Sequence, residues 1–222
     1  MSVKKLLILS AAGLATTAMA SAAFAGGPDH GSSAGFYLGA NAGYARVEYE
    51  PVLVGTTTNL TDHPYGGMTA GLNLGYQFNN TWSAEYGWSY LPTARGVINS
   101  IQTSQVKSWA MYVAGKATVA MPFVHNTDFF MKAGLGLRRL KFSTKTAGTN
   151  DASAKRWSPV FGLGGSHAFH QNLRLTTSYM YYPGGAFIEN PKDNGFFSSH
   201  DNHYPSANVF TVGLEYKFAD MF

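Results

Sequence analysis

Two of the chain's histidines lie close together in His200-Asp201-Asn202-His203, and two imidazoles beside a carboxylate are a donor set suited to zinc. The spacing is not that of a helical histidine pair and no third fixed ligand is evident. The expectation is exposed loop histidines and no metal site. Ser166-His167 and Ser199-His200 each put a hydroxyl next to a base, the raw material of nucleophilic catalysis. Adjacent residues of a strand point to opposite faces, so Ser166 and His167 cannot form a dyad with each other. No other triad is legible. No catalytic residue is expected, the chain is not read as an enzyme, and a lipid-modifying enzyme is the least favoured alternative. The absence of cysteine removes disulfides, thiolate metal sites and a cysteine nucleophile, and no cofactor is expected.

A different chemistry is offered by six charged residues that share the parity of the glycines in alternating segments: Glu85, Lys116, Lys132, Arg174, Glu215 and Lys217. Four bases and two acids facing a confined, low-dielectric interior must pair to avoid a large desolvation penalty. Counted from the turns, Glu85, Lys132 and Glu215 are expected at similar heights and Lys116 about one pair further from the turns. Such a cluster would brace the interior, and by exchanging partners it would open a narrow polar path.

The elements that position these charges are segments of about ten residues in which large apolar side chains alternate with small or polar ones, the pattern of a strand with one lipid face and one interior face. Eight are legible, near 35–46, 67–78, 81–91, 108–121, 128–140, 156–169, 172–182 and 208–218. In the third, Trp82, Ala84, Tyr86, Trp88 and Tyr90 alternate with Ser83, Glu85, Gly87 and Ser89, which no helix would show. Trp82 and Tyr90 would be about 26 Å apart along the strand, near the spacing of two aromatic girdles once the strand is tilted. Trp88, Trp109, Trp157, Tyr179, Tyr181 and Tyr216 share the outward parity and are assigned to the same girdles. A soluble lipocalin-type barrel would reverse this parity, with charge outside.

Export is written at the N-terminus. Lys4-Lys5, then Leu6-Leu7-Ile8-Leu9, then a small-residue stretch closing on Ala23-Phe24-Ala25 form a secretory signal peptide, too short in its apolar part for a membrane span. Residues 1–25 are read as that signal, 26–34 as a flexible leader and 35–222 as the barrel. Loss of Lys4 and Lys5 leaves 16 − 2 basic residues against 12 acidic, a formal +2 that gives no reason to propose nucleic acid as a partner. Charged residues are only 13% of the chain, and without a long apolar run after the signal a barrel is the remaining way to span a membrane. The fold expected is all-β: an eight-stranded antiparallel transmembrane β-barrel with an N-terminal signal peptide.

Connections alternate between long ones, near Val47 to Tyr65, Pro92 to Lys107, Lys141 to Lys155 and Pro183 to Ala207, and short ones at Asn79-Asn80, Pro122 to Thr127 and His170-Gln171. That asymmetry places the short turns and both termini in the periplasm. In the last strand Phe210, Val212, Leu214, Tyr216 and Phe218 alternate, with Phe222 at the end of the sequence. This looks like the signal read by the outer-membrane insertion machinery.

The segments Gly35-Phe36-Tyr37-Leu38-Gly39-Ala40, Gly71-Leu72-Asn73-Leu74-Gly75-Tyr76-Gln77-Phe78, Glu85-Tyr86-Gly87, Ala133-Gly134-Leu135-Gly136 and Gly213-Leu214-Glu215-Tyr216-Lys217-Phe218 resemble the small outer-membrane barrels typified by the OmpA transmembrane domain and the opacity-type surface proteins. The resemblance covers essentially the whole mature chain and implies a bacterial outer-membrane location and a salt-bridged interior. The sequence reaches Phe222 without the peptidoglycan-binding domain of OmpA itself, so tethering to the cell wall is not carried over. The expected role is structural or surface-interacting through long external loops, with a narrow porin-like channel gated by interior ion pairs as the alternative. Phe196-Phe197, Tyr204 and Val52-Leu53-Val54 either expose a binding surface for a host or surface ligand or pack on one another as a loop crown. Expected partners are outer-membrane lipid, lipopolysaccharide and the insertion machinery, and the barrel is expected to be a monomer.

Overall fold

The computed structural model describes residues 34–48, 65–98, 102–144, 152–186 and 203–218. The signal segment, the His200-Asp201-Asn202 run, Ser199, Val52 to Val54, Phe196-Phe197 and Phe222 lie outside the described residues. The alternating segments become the strands β1 (Gly35–Glu48), β2 (Tyr65–Gln77), β3 (Trp82–Ile98), β4 (Gln102–Ala120), β5 (Thr127–Thr144), β6 (Ala152–Ala168), β7 (Leu173–Tyr182), β8 (Gly185–Ala186), β9 (His203–Tyr204) and β10 (Ser206–Lys217). Eight of them close into an antiparallel barrel in the order β1-β10-β7-β6-β5-β4-β3-β2, and β8 pairs only with β9. β10 meets β1 from Tyr37↔Lys217 to Glu48↔Ser206. Beyond the ladder, the Phe218 amide donates to the Phe36 carbonyl at 2.9 Å. No helix among the described residues is long and apolar enough to cross a membrane.

At the end that carries residues 34 and 218, the connections are tight. Asn79 Oδ1 accepts the amides of Thr81 and Trp82 at 2.9 and 2.8 Å, and Asn126 sits at φ 58°, a left-handed conformation that asparagine tolerates. At the other end the barrel wall is taller than expected. β3 and β4 stay paired out to Ile98↔Gln102, and β5 and β6 out to Phe142↔Ala152, so most of the connections read at Pro92 to Lys107 and Lys141 to Lys155 are strand. The sequence reading followed the apolar alternation of the outer face, whereas backbone pairing continues beyond it. A register shift between Leu91 and Ala94 lets Pro92, which has no amide to donate, pass through β3. The segment Pro183 to Ala207 is likewise interrupted by the β8–β9 pair.

Burial is the reverse of a soluble protein's. Val113, Met131 and Leu135 on the outer wall are about 60% exposed, while Glu85 and Arg138 in the interior are 1% exposed. The interior has two storeys. Ala45, Val47, Leu91, Tyr112, Val160, Met180, Tyr182 and Val209 form an apolar cluster toward the tall end, and the buried charges Glu85, Lys116, Lys132, Glu215 and Lys217 lie toward the tight turns.

Inward glycines mark where the curved wall approaches itself. A Cβ on Gly134 would collide with the Val113 carbonyl oxygen and the Ala114 backbone, whereas one on the outward Gly115 would find its nearest neighbour, Ala133 O, 4.0 Å away. Gly134→Ala is expected to lower the unfolding free energy by about 1–3 kcal/mol, the usual range for forced overpacking, and Gly115→Ala to leave it nearly unchanged. Denaturant titration of the lipid-refolded barrel followed by tryptophan fluorescence measures both.

Candidate functional site

Strand alternation delivers Glu85 inward between the outward Ala84 and Tyr86, and the β3–β4–β5 register sets its company. Ser83 is opposite Lys116, and Lys116 is directly opposite Lys132. Lys116 is therefore level with Lys132 and one inward pair nearer the tight turns than Glu85, the reverse of the expected offset. Residue counts from separate turns are not heights, because the turns differ in length and each strand pair sets its own register.

Two ammonium groups opposed across a ladder repel, and the site resolves this with two carboxylates. Lys132 Nζ donates to Glu85 Oε1, which also accepts the Tyr112 hydroxyl at 2.6 Å, and the Tyr37 hydroxyl donates to Glu85 Oε2 at 3.0 Å. Lys116 Nζ turns the other way and meets Glu215 Oε2 at 3.4 Å. β4 and β10 are four strands apart in either direction around the barrel, so the Lys116–Glu215 bridge crosses the full diameter. Both side chains are 6% exposed. The Phe130 ring lies 4.6 Å from Lys116 Nζ and 4.9 Å from Lys132 Nζ, and the Tyr37 ring 5.0 Å from Lys116 Nζ, distances at which a cation is attracted to the ring face. Two bases, two acids, two phenols and a phenyl ring thus fill one cross-section.

Of the six residues proposed from sequence, Glu85, Lys116, Lys132 and Glu215 are brought together. Lys217 is inward and buried, across from Tyr37 and one inward step nearer the turns than Glu215. Arg174 stays apart. It is opposite Glu215 in the β7–β10 register, yet its guanidinium lies 3.8 Å from Asp128 in a pair whose side chains are 22% and 25% exposed. Tyr37 was not singled out, although its inward parity in β1 was readable.

A second closure lies toward the tall end. The Arg138 guanidinium stacks 5.9 Å from the Tyr182 centroid and 5.1 Å from that of Tyr204, and donates to the Pro205 carbonyl. Tyr204 is only 1% exposed, so of the two alternatives read for it, exposed surface or packed crown, the structure takes the packed one, against Arg138. β9 folds inward over the interior, and nothing in local composition marks that. Ser166 is buried facing the interior, while the His167 ring, on the other face, meets Thr127 Oγ1 at 2.8 Å.

On the outer wall, Trp88, Tyr90, Trp157, Tyr179 and Tyr181 project toward the tall end, with Trp109 beside Tyr90 in register. Trp82 and Tyr216 project near the turns, where the rings of Phe36, Tyr76 and Phe78 add edge contacts at 4.8 and 5.4 Å. Phe210, Val212, Leu214 and Tyr216 all face outward from β10.

Residues 8–218 match the family described as the outer membrane protein beta-barrel domain. The chain belongs to this family. It is an outer-membrane β-barrel protein of bacteria, and its fold is shared by solved structures of low sequence identity. Neisserial surface protein A is 17% identical, with 84% of this chain and 100% of that chain covered and a TM-score of 0.53. Ail, the attachment invasion locus protein of Yersinia pestis, solved with the heparin analogue sucrose octasulfate, is 15% identical over 84% of this chain and 100% of that chain, with a TM-score of 0.51. OprG of Pseudomonas aeruginosa is 14% identical over 86% and 99%, also at 0.51. An uncharacterized protein of Coxiella burnetii is 24% identical over 96% of this chain and 99% of its own length.

Within this outer-membrane barrel the two kinds of ion pair separate by burial. Glu85→Gln leaves Lys132 sealed without its counter-charge and is expected to cost about 3–5 kcal/mol of stability. Asp128→Asn, in a pair that water reaches, is expected to cost at most about 1 kcal/mol. Urea unfolding of each refolded variant compares them directly.

Proposed function

We propose that the barrel works as a closed scaffold that presents its tall end and long connections at the cell surface, with structure and surface interaction as its role. One observation carries this reading: the Lys116–Glu215 bridge spans the whole diameter with both partners 6% exposed, so the solvent path ends at that cross-section. The Arg138–Tyr182–Tyr204 stack closes the interior a second time. An eight-stranded barrel is just wide enough for side chains to fill, and here they fill it.

In this proposal the short turns and both termini are periplasmic, residues 1–25 are removed on export, and the protein acts as a monomer. The outward series Phe210, Val212, Leu214, Tyr216, Phe218 with Phe222 is what the insertion machinery reads. The aromatic rings on the outer wall hold the barrel at the two interfaces, and outer-membrane lipid and lipopolysaccharide surround it. Ail was solved with a sulfated sugar, and a host or surface ligand met through the connections is the corresponding proposal here. No catalytic step is included, because Ser166 and His167 are committed to opposite faces and His167 to Thr127.

A second reading, a narrow channel, draws on Lys116 and Lys132 standing opposite each other beside two carboxylates, an arrangement that allows partner exchange. Single-channel recording of the refolded barrel in a planar bilayer separates the two. The scaffold reading expects silence from the native protein and openings once Lys116→Ala and Glu85→Ala remove the cross-section. Steady openings of the native protein, with selectivity altered by substitution of Lys116, would replace it with the channel.

A further inference from the structure

The tall end is closed by a ring that does not belong to the barrel wall. Around Arg138 the inward wall residues are small: Ala110 is directly opposite it, Ser158 lies opposite Gly136 one inward step below, and Ala207 is directly opposite Tyr182. Wall side chains of this size leave room for one ring at the mouth, and Tyr204 takes it, buried with its ring centroid 5.1 Å from the Arg138 guanidinium carbon. Arg138 also donates to the Pro205 carbonyl, and the buried Tyr182 ring lies 5.9 Å from the same guanidinium. The seat therefore engages two features of its occupant, an aromatic face and a carbonyl oxygen beside it.

The segment that delivers Tyr204 is a small element of its own. Among the described residues, β9 meets β8 through two ladder pairs, Gly185↔Tyr204 and Ala186↔His203, in a sheet separate from the barrel, whereas β7 and β10 on either side are joined by ten. A two-stranded ladder is marginal on its own. The path from β7 into the mouth runs through Pro183, Gly184 and Gly185. A Cβ on Gly184 would lie 2.5 Å from the Tyr204 carbonyl oxygen, and Gly185 sits at φ 131° with the Arg156 guanidinium against it, 2.8 Å from where a Cβ would be. Only glycine folds the chain into the mouth this way. The contacts that seat the element include a cation–ring contact and a bond to a carbonyl, and an external group of the same chemistry would make both.

We infer that the tall-end mouth is a binding seat for an aromatic group of an external ligand, occupied in the resting protein by the chain's own Tyr204 and vacated when the β8–β9 pair swings out. The ligand class follows from the occupant: a ring that a guanidinium can face, with a carbonyl oxygen next to it, as a tyrosine of a partner peptide provides. An aliphatic side chain would fill the space and forgo Arg138. A dissolved anion would engage Arg138 and leave the Tyr182 ring unused. Tyr204 is tethered at the seat and competes at high effective concentration, so a ligand displaces it by adding contacts of its own elsewhere on the connections. The inference deepens the surface-interaction reading and rests on it, with the tall end at the cell surface.

The test titrates the folded full chain in detergent micelles with N-acetyl-tyrosinamide as the probe, by isothermal calorimetry, after the heat-dependent shift of the gel band has confirmed folding of each variant. Tyr204→Ala empties the seat and is expected to bind one probe molecule at least tenfold more tightly than the native protein, whereas Tyr204→Phe keeps a ring in place and is expected to match the native protein. Adding Arg138→Met to Tyr204→Ala is expected to weaken binding at least tenfold, and N-acetyl-leucinamide is expected to bind Tyr204→Ala at least tenfold more weakly than the tyrosine probe. Failure of Tyr204→Ala to bind, or equal binding after Arg138→Met, would overturn the seat. Should the combined variant not fold, equal binding of the leucine probe overturns it instead. Release is read in the native protein by hydrogen exchange: peptides spanning 183–186 and 203–205 are expected to exchange at least tenfold faster than those of β7 and β10, and equal protection would make Tyr204 a fixed filler. Orientation is read separately, because the chain has no cysteine and Ser153→Cys gives a unique exposed label position at the tall end of β6. Labelling by an impermeant maleimide on intact cells supports the orientation, and absence of labelling overturns it without touching the binding result in micelles.

Discussion

Inside a bilayer every backbone amide must find its acceptor within the protein, and the meeting of β1 with β10 is where this chain satisfies that constraint. Closure at eight strands then fixes the bore. The interior is too narrow to hold bulk water and wide enough for side chains from opposite walls to touch, so Lys116 on β4 reaches Glu215 on β10. A charge placed in such a space has no solvent to fall back on, and each one must be matched within the cross-section. The Tyr37 and Tyr112 hydroxyls complete that matching by occupying the oxygens of Glu85 that Lys132 alone cannot satisfy. With two bases against two acids, the cluster is, in the scaffold proposal, a wall built across a tube.

The outer surface obeys the complementary rule. Where lipid tails touch the barrel the outward residues are apolar, and at the edges they become aromatic. Among the described residues, charge returns on this face above the tall-end rings, and β4, β5 and β6 carry Lys107, Arg139, Lys141 and Lys155 there. In the interior, Glu85 is matched by Lys132 and Glu215 by Lys116, because the barrel is their only environment.

Much of this was legible in the sequence because a strand has a period of two and the membrane makes that period visible. The eight barrel strands, the outward face of Trp88, Trp157 and Tyr216, and the inward face of Glu85, Lys116, Lys132 and Glu215 all follow from alternation. Alternation says which face a residue takes and not which partner it meets. Arg174 shares parity with Glu215 and still turns to Asp128, because a long side chain near the rim has a choice that parity does not constrain. The height of Lys116 depended on cross-strand register, and the tall ends of β3 to β6 on pairing that continues beyond the apolar band. Tyr204 was hidden for another reason: a two-residue ladder folded into the barrel mouth leaves no periodic trace. The outward bases were readable from the parity of Arg139 against Arg138, but only their register neighbours show them to be a patch.

The central claim is that the buried charges hold one another and the lumen shut as a coupled unit. A double-mutant cycle on Glu85→Gln and Lys132→Met, measured as unfolding free energy in lipid, tests it most directly. The account predicts strong coupling, with the double variant recovering most of the stability lost by Glu85→Gln alone, an interaction of about 2–3 kcal/mol. Additive losses in the two single variants would contradict it, since they would mean that Glu85 and Lys132 are each satisfied independently of the other.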